Sequence, residues 1–200
     1  MNRSELIDMV KTFVNELSPT NGLPVPIDGF ADDRPIDDAI DTLLNGAART
    51  VLMLAPRSQL PLTQTSVVAQ LGEDGCARLG KPPNYLRLGS IRLLAWQRPA
   101  TVAVPSTGGV AQRQGNVYLR AGRCKPVAVD AGPYWQLWPA QLGDDLTASL
   151  EYVALTLPED MAVGLQLATC WQCAALYLQI SGDAQGATAA QMRAEQMLNA

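Results

Sequence analysis

Cys170 and Cys173 stand three residues apart within LATCWQCAALYLQI, Leu167–Ile180, and Cys-x-x-Cys is the motif of this chain whose spacing by itself suggests chemistry. Such a pair can be a redox dithiol or half of a zinc site. A redox pair belongs at a helix N-terminus, where the backbone dipole lowers the thiol pKa. These two fall after several turns of the helix that the surrounding pattern predicts. Structural zinc takes its ligands as two tight pairs, whereas the remaining cysteines, Cys76 and Cys124, are 48 residues apart. The spacing therefore reads as small apolar residues on a buried helix face, and Cys170 and Cys173 are expected to be reduced, unliganded and buried.

The same cysteines lie within twenty residues that carry no charge, Met161–Ile180. That is long enough to span a bilayer. Gln166, Thr169, Gln172 and Gln179 argue against it, because their polar groups are costly in lipid. A helix covered on most of its circumference explains the run better.

The chain of 200 residues contains no histidine. Ser-His-Asp and Cys-His nucleophiles, His-ligated zinc and imidazole acid–base catalysis are thereby excluded. Three lysines, Lys11, Lys81 and Lys125, leave few candidates for Schiff-base or phosphate chemistry, and neither GxxxxGK[ST] nor GxGxxG occurs. Asp32, Asp33, Asp37, Asp38 and Asp41 lack calcium-loop spacing and fall where a helix dipole favours acids. No enzyme activity, cofactor or metal is expected. Four scattered cysteines, behind an N-terminus that reads as an amphipathic helix and not as a signal peptide, suggest a reducing, cytoplasmic setting.

Charge is distributed unevenly. Between Cys76 and Val129 there is no Asp or Glu, yet Arg78, Lys81, Arg87, Arg92, Arg98, Arg113, Arg120, Arg123 and Lys125 occur there. With nine positive charges in that segment and −4 overall, the flanks together carry −13. One reading is nucleic-acid binding by residues 78–125, with Tyr85, Trp96, Tyr118 and Trp135 available to stack bases. Another is assembly, a basic middle docking on a neighbour's acidic ends. A third is a solvated sheet with scattered arginines. The residues singled out for assembly or nucleic-acid contact are Arg87, Arg92, Arg98, Arg113, Arg120 and Arg123.

These residues must be positioned by elements legible from periodicity. A helix is predicted over Ser4–Leu17, then a Pro-, Gly- and Asp-rich loop, then a helix from Pro35 whose stripe is Ile36, Ile40, Leu43, Ala47, Val51 and Leu54. Short strands are expected at Tyr85–Trp96, Ala100–Val104, Val117–Ala121, Val127–Val129, Tyr134–Trp138 and Leu150–Leu157. Arg87 and Arg92 have opposite parity on a flat strand, and a bulge at Gly89-Ser90 would correct the phase. PSTGGVAQRQG is expected to be an exposed hairpin loop. Thr156 and Glu159 fit a capping box ahead of a helix reaching Ile180. A break at Ser181-Gly182-Asp183 then leads to a last helix, in which Ala184, Ala187, Ala190 and Ala194 permit close approach of another helix. The fold class expected is α+β, N- and C-terminal helices packed as a bundle around an inserted small antiparallel β subdomain. Its parts are 1–75, 76–157 and 158–200.

Four stretches, PIDDAIDTLLNGAARTVLMLAPRSQL, LGKPPNYLRLGSIRLLAWQRPATVAV, QGNVYLRAGRCKPVAV and LATCWQCAALYLQISGDAQGATAAQMRAEQML, together cover half of the chain. In order and pattern they resemble the head–tail adaptor (connector) proteins of tailed bacteriophages, particularly those of phages and prophages of gut bacteria. The resemblance implies a non-enzymatic virion protein, located in the host cytoplasm before assembly, that forms a neck ring of about twelve subunits. Its implied partners are copies of itself, the portal protein and tail or neck proteins, with DNA passing through the ring and no membrane contact. The alternative is a nucleic-acid-binding accessory protein using the basic segment.

Overall fold

A computed structural model describes residues 1–17, 34–72 and 74–199. The expected Pro-, Gly- and Asp-rich loop, with Asp32 and Asp33, lies outside the described residues. The protein is α+β, as the alternation of periods predicts. It divides into a helical unit, Met1–Leu60 with Leu155–Ala200, and a β unit, Pro61–Ala154. The insertion thus opens at Pro61 and not at residue 76, because a strand the periodicity did not reveal already pairs within the β unit.

The helical unit contains α1 (Arg3–Leu17), α2 (Arg34–Leu54), α4 (Val163–Ile180) and α5 (Ala184–Asn199). Helix α4 packs against all three others. It buries Leu165, Gln166, Ala168, Thr169, Cys170, Trp171, Cys173, Ala174, Ala175 and Leu178, which is most of its circumference and explains why it carries no charge. The α2 stripe is rotated from the expected one: Leu44, Ala48 and Leu52 are buried alongside Ile40, Ala47 and Val51, whereas Leu54 is 60% exposed. Gly186, Ala190 and Ala194 of α5 are buried within the chain's own bundle, so these small residues serve α5 packing here. Phe13 stacks on Trp171 at 3.7 Å, and the Arg193 guanidinium lies 4.6 Å from the same indole while pairing with Glu16 at 2.6 Å. Asp37 pairs with Lys11 and Asp41 with Arg3, so these acids tie α2 to α1.

The expected capping box does not form. Pro158–Asp160 make a 3-10 turn, and α4 starts only at Val163 with no side-chain cap at Ala162. The buried Gln166 side chain instead donates to the carbonyls of Pro158 (3.3 Å) and Glu159 (3.0 Å), holding the turn against the helix. The break between α4 and α5 falls where Gly182 adopts φ +89°, a left-handed geometry suited to glycine, and Asp183 N–H returns to Leu178 O at 2.9 Å.

In the β unit, β1 (Leu62–Val68), β8 (Thr147–Ala154) and β4 (Tyr85–Leu93) form a three-stranded antiparallel sheet in the order β1-β8-β4. The second sheet runs β2 (Gln70–Leu71), β3 (Ala77–Gly80), β7 (Tyr134–Trp138), β6 (Val127–Asp130) and β5 (Ala103–Pro105), antiparallel except for the β5–β6 pair. Both sheets contribute to one core containing Leu79, Ile91, Leu93, Trp96, Trp135, Leu137 and Leu150. PSTGGVAQRQG is not a hairpin loop, since it contains the short helix α3 (Gly109–Arg113). Val117–Ala121 is a series of turns, not a strand.

The pairing of β4 with β8 slips between Leu88 and Ser90, which places a bulge at Gly89 as expected. A Cβ on Gly89 would lie 2.9 Å from Glu151 O, a backbone atom fixed in the ladder. Gly89→Ala is therefore expected to destabilise the β unit by about 1–3 kcal/mol through overpacking. Urea unfolding followed by tryptophan fluorescence measures this, and an unchanged midpoint would refute the steric argument.

Candidate functional site

The basic residues come together only in part. Pairing slips at Leu86 and Gly89 set Arg87 opposite Val153 and Arg92 opposite Ser149, positions of one parity on β8. Arg87 and Arg92 therefore share a sheet face, as the bulge argument requires. Glu151 lies on it too, accepting from Ser90 Oγ (2.8 Å) and Gln64 Nε2 (3.1 Å). Arg92 is exposed and donates to Trp96 O at 3.3 Å, and Arg87 is half-buried.

The other four arginines belong to the loops after β4 and around α3. Arg98 and Arg113 are exposed. Arg123 pairs with Asp144 at 2.5 Å. Arg120 is half-buried, donating to Gln114 O at 3.1 Å with its guanidinium 5.0 Å from the Trp138 ring. Lys81 binds both oxygens of Asp130 at 2.8 Å and lies 5.2 Å and 5.4 Å from the Tyr85 and Trp135 rings. Burial raises the Asp130 pKa, but the bonds from Lys81 and the Gly132 amide outweigh it and hold the carboxyl below its usual range. Folding thus brings Asp130 and Asp144, acids from beyond the acid-free segment, onto two of its cations.

Of the aromatic residues available for stacking, Trp96 and Trp135 are buried in the core and Tyr85 is half-buried. Tyr118 is the opposite, at 96% exposed, with Val117 at 74% and Leu119 at 61% beside it. This apolar tip is ordered by its neighbours. Asn116 Oδ1 accepts from Tyr118 N–H at 2.9 Å, and Asn116 O accepts from Arg120 N–H at 2.9 Å. The loop base is pinned by Gln114, 3% exposed, which donates to Val110 O (2.8 Å) and accepts from Ala121 N–H (2.9 Å). Sequence reasoning took these residues for a strand. The signal available was Gly115-Asn116, a turn former, ahead of three consecutive apolar residues that break the alternation of a half-buried strand.

Cys170 and Cys173 are fully buried, with Sγ contacts to Leu6 O (3.8 Å) and Ile40 O (3.7 Å), and all four cysteines are free thiols. Burial pushes both thiols up to about 12, the opposite of an activated redox cysteine. Among the described residues, no group of three or more His, Cys, Asp or Glu is placed to hold a metal ion, and no helix is long and apolar enough to cross a membrane.

The charge asymmetry follows the two units. The β unit has nine Lys and Arg against six Asp and Glu, a net of +3; the helical unit has six against thirteen, a net of −7. What this arrangement offers is association: complementary charge on two units and an ordered apolar tip in solvent. Neither a protein-family model nor a curated protein sequence matches the chain.

Proposed function

We propose that this chain is a non-enzymatic assembly protein, a head–tail adaptor that forms a ring at the neck of a tailed bacteriophage below the portal. The observation that carries the reading is the segregation of charge by unit, +3 on the β unit and −7 on the helical unit. A repeating contact between unlike surfaces uses such a molecule well, and it closes into a ring when the rotation allows. The tip at Val117–Leu119 supplies three adjacent exposed apolar side chains that such a contact can bury. The order of sequence elements resembling the adaptors supplies the identity of the assembly.

Mixing the purified protein with portal particles tests this by electron microscopy. Added density in a ring below the portal is expected, and portal particles that remain bare at saturating protein would overturn the reading. Arg92→Glu should reduce ring occupancy, while stability stays within about 1 kcal/mol of the parent. The side chain is exposed, loses only its long bond to Trp96 O and gains Glu151 as a like-charged neighbour on the same face.

The nucleic-acid reading loses ground on one observation. Two of its four stacking aromatics are in the core, and Lys81 and Arg123 are paired with acids. DNA binding that falls steeply with salt would nonetheless revive it.

A further inference from the structure

Helix α2 and the segment that follows β8 border a cavity of about 340 Å³, lined by Asn45, Gly46, Arg49, Leu155, Thr156 and Leu157. Leu155 and Leu157 present apolar side chains there, 52% and 54% exposed. Gly46 leaves the α2 side open, since a Cβ built on it would meet no atom within 4 Å. We propose that this cavity receives the Tyr118 tip of a second copy of the same chain. The inference rests on the assembly reading above and names the surfaces that would make its repeating contact.

Size and chemistry both suit this occupant. A cavity of about 150 Å³ accepts benzene, so the larger volume here admits a phenol ring with room for part of Val117 or Leu119. Leu155 and Leu157 cover the ring, and Arg49 and Asn45 offer donors to the phenol oxygen. The Arg49 guanidinium can also lie on the ring face.

The tip is held in shape before binding by Asn116 and Gln114, which lowers the ordering cost of docking. The unit that carries the tip is net +3 and the unit that carries the cavity is net −7, so opposite net charge favours the approach of one copy's β unit to another copy's helical unit. Arg49, the charged residue of the lining, meets the tip through its aromatic face. Tip and cavity are different surfaces, which makes the contact head-to-tail: every copy that donates a tip still offers a cavity.

This asymmetry gives a test that misfolding cannot imitate. Sedimentation velocity over a concentration series should show the wild-type chain self-associating. Tyr118→Ala removes the tip and Gly46→Phe fills the cavity, and each is expected to weaken association by about thirty-fold or more. Neither should melt below wild type, as Tyr118 is exposed and Gly46 has open space within helix α2, where replacing glycine removes a helix-propensity cost. An equimolar mixture of the two variants should then form a one-to-one dimer and stop there, through the intact tip of Gly46→Phe in the intact cavity of Tyr118→Ala. Leu142→Ala, at another loop residue that is 93% exposed, should associate like wild type.

Association that survives either variant, a mixture that stays monomeric, or a wild-type chain monomeric at every concentration would overturn the docking proposal. The adaptor reading is judged apart from it, by ring density on portal particles.

Discussion

Replacing Trp96 by alanine should cost the β unit about 3–5 kcal/mol. The indole is 1% exposed in the core between the two sheets, and its Nε1 donates to Pro139 O at 2.7 Å. Truncation leaves a cavity among residues such as Ile91, Leu93 and Leu137 and a buried carbonyl without its donor. Against total stabilities of roughly 5–15 kcal/mol, that is enough to unfold much of the β unit at moderate urea. Trp96→Phe keeps most of the volume and should cost clearly less. Trp135 and Trp138 report the β unit by fluorescence beside Trp171, which reports the helical unit, and far-ultraviolet circular dichroism reports chiefly the helices. A fluorescence midpoint displaced by less than the equivalent of about 1 kcal/mol in Trp96→Ala would show that the core tolerates the loss.

The buried thiols predict a steep alkaline limit. Cys170 and Cys173 have native pKa values pushed up to about 12 from an ordinary 9.0, above all by burial. A raised native value means that the unfolded chain loses its proton first. The stability contribution is therefore complete below pH 9 and declines as pH rises toward 12. Each thiol should remove about 1 kcal/mol of stability per pH unit across that window, approaching about 4 kcal/mol at its upper end. The two losses are not simply additive, because a thiolate at Cys170 further opposes one at Cys173. Urea titrations at a series of pH values from 8 to 11 measure the slope. The Cys170→Ala/Cys173→Ala double variant should be less stable at pH 8 and show a shallower alkaline decline. An equal slope in both proteins would mean that other groups set the limit.

The helices were legible because their signals are local. Ile40, Ala47 and Val51 repeat at helical steps, Ser181-Gly182 interrupts the last pair, and the missing charge of Met161–Ile180 corresponds to a helix buried on most sides. The β unit was less legible because its pairings are distant. Leu62–Val68 is an edge strand with only Leu62 and Thr65 half-buried, and its partner β8 lies more than seventy residues later in the chain. No alternation marks such a strand. Gly89 was an exception, since opposite parity at Arg87 and Arg92 demanded a phase correction that the chain supplies there. The candidate surface was only partly legible for the same reason. An acid-free run counts charges along the chain, whereas Asp130 and Asp144 reach Lys81 and Arg123 through folding. Tyr118 stood among four aromatics of similar promise, and only burial of the indoles and exposure of this phenol separate them.

The chain visits the helical unit twice, and this fixes an order of events during synthesis. Helices α1 and α2 leave the ribosome with Leu6, Val10, Val14, Ile40 and Leu44 bare, because the helix that covers them, α4, begins only at Val163. The whole β unit, Pro61–Ala154, is translated in between and is a continuous stretch able to collapse by itself. At roughly 5–20 residues per second, the early helices wait on the order of ten seconds for α4. For that interval the nascent chain is a finished insertion in an unfinished host. Its first two helices are then the segments that chaperones would hold, and the ones through which two nascent chains on one message would aggregate.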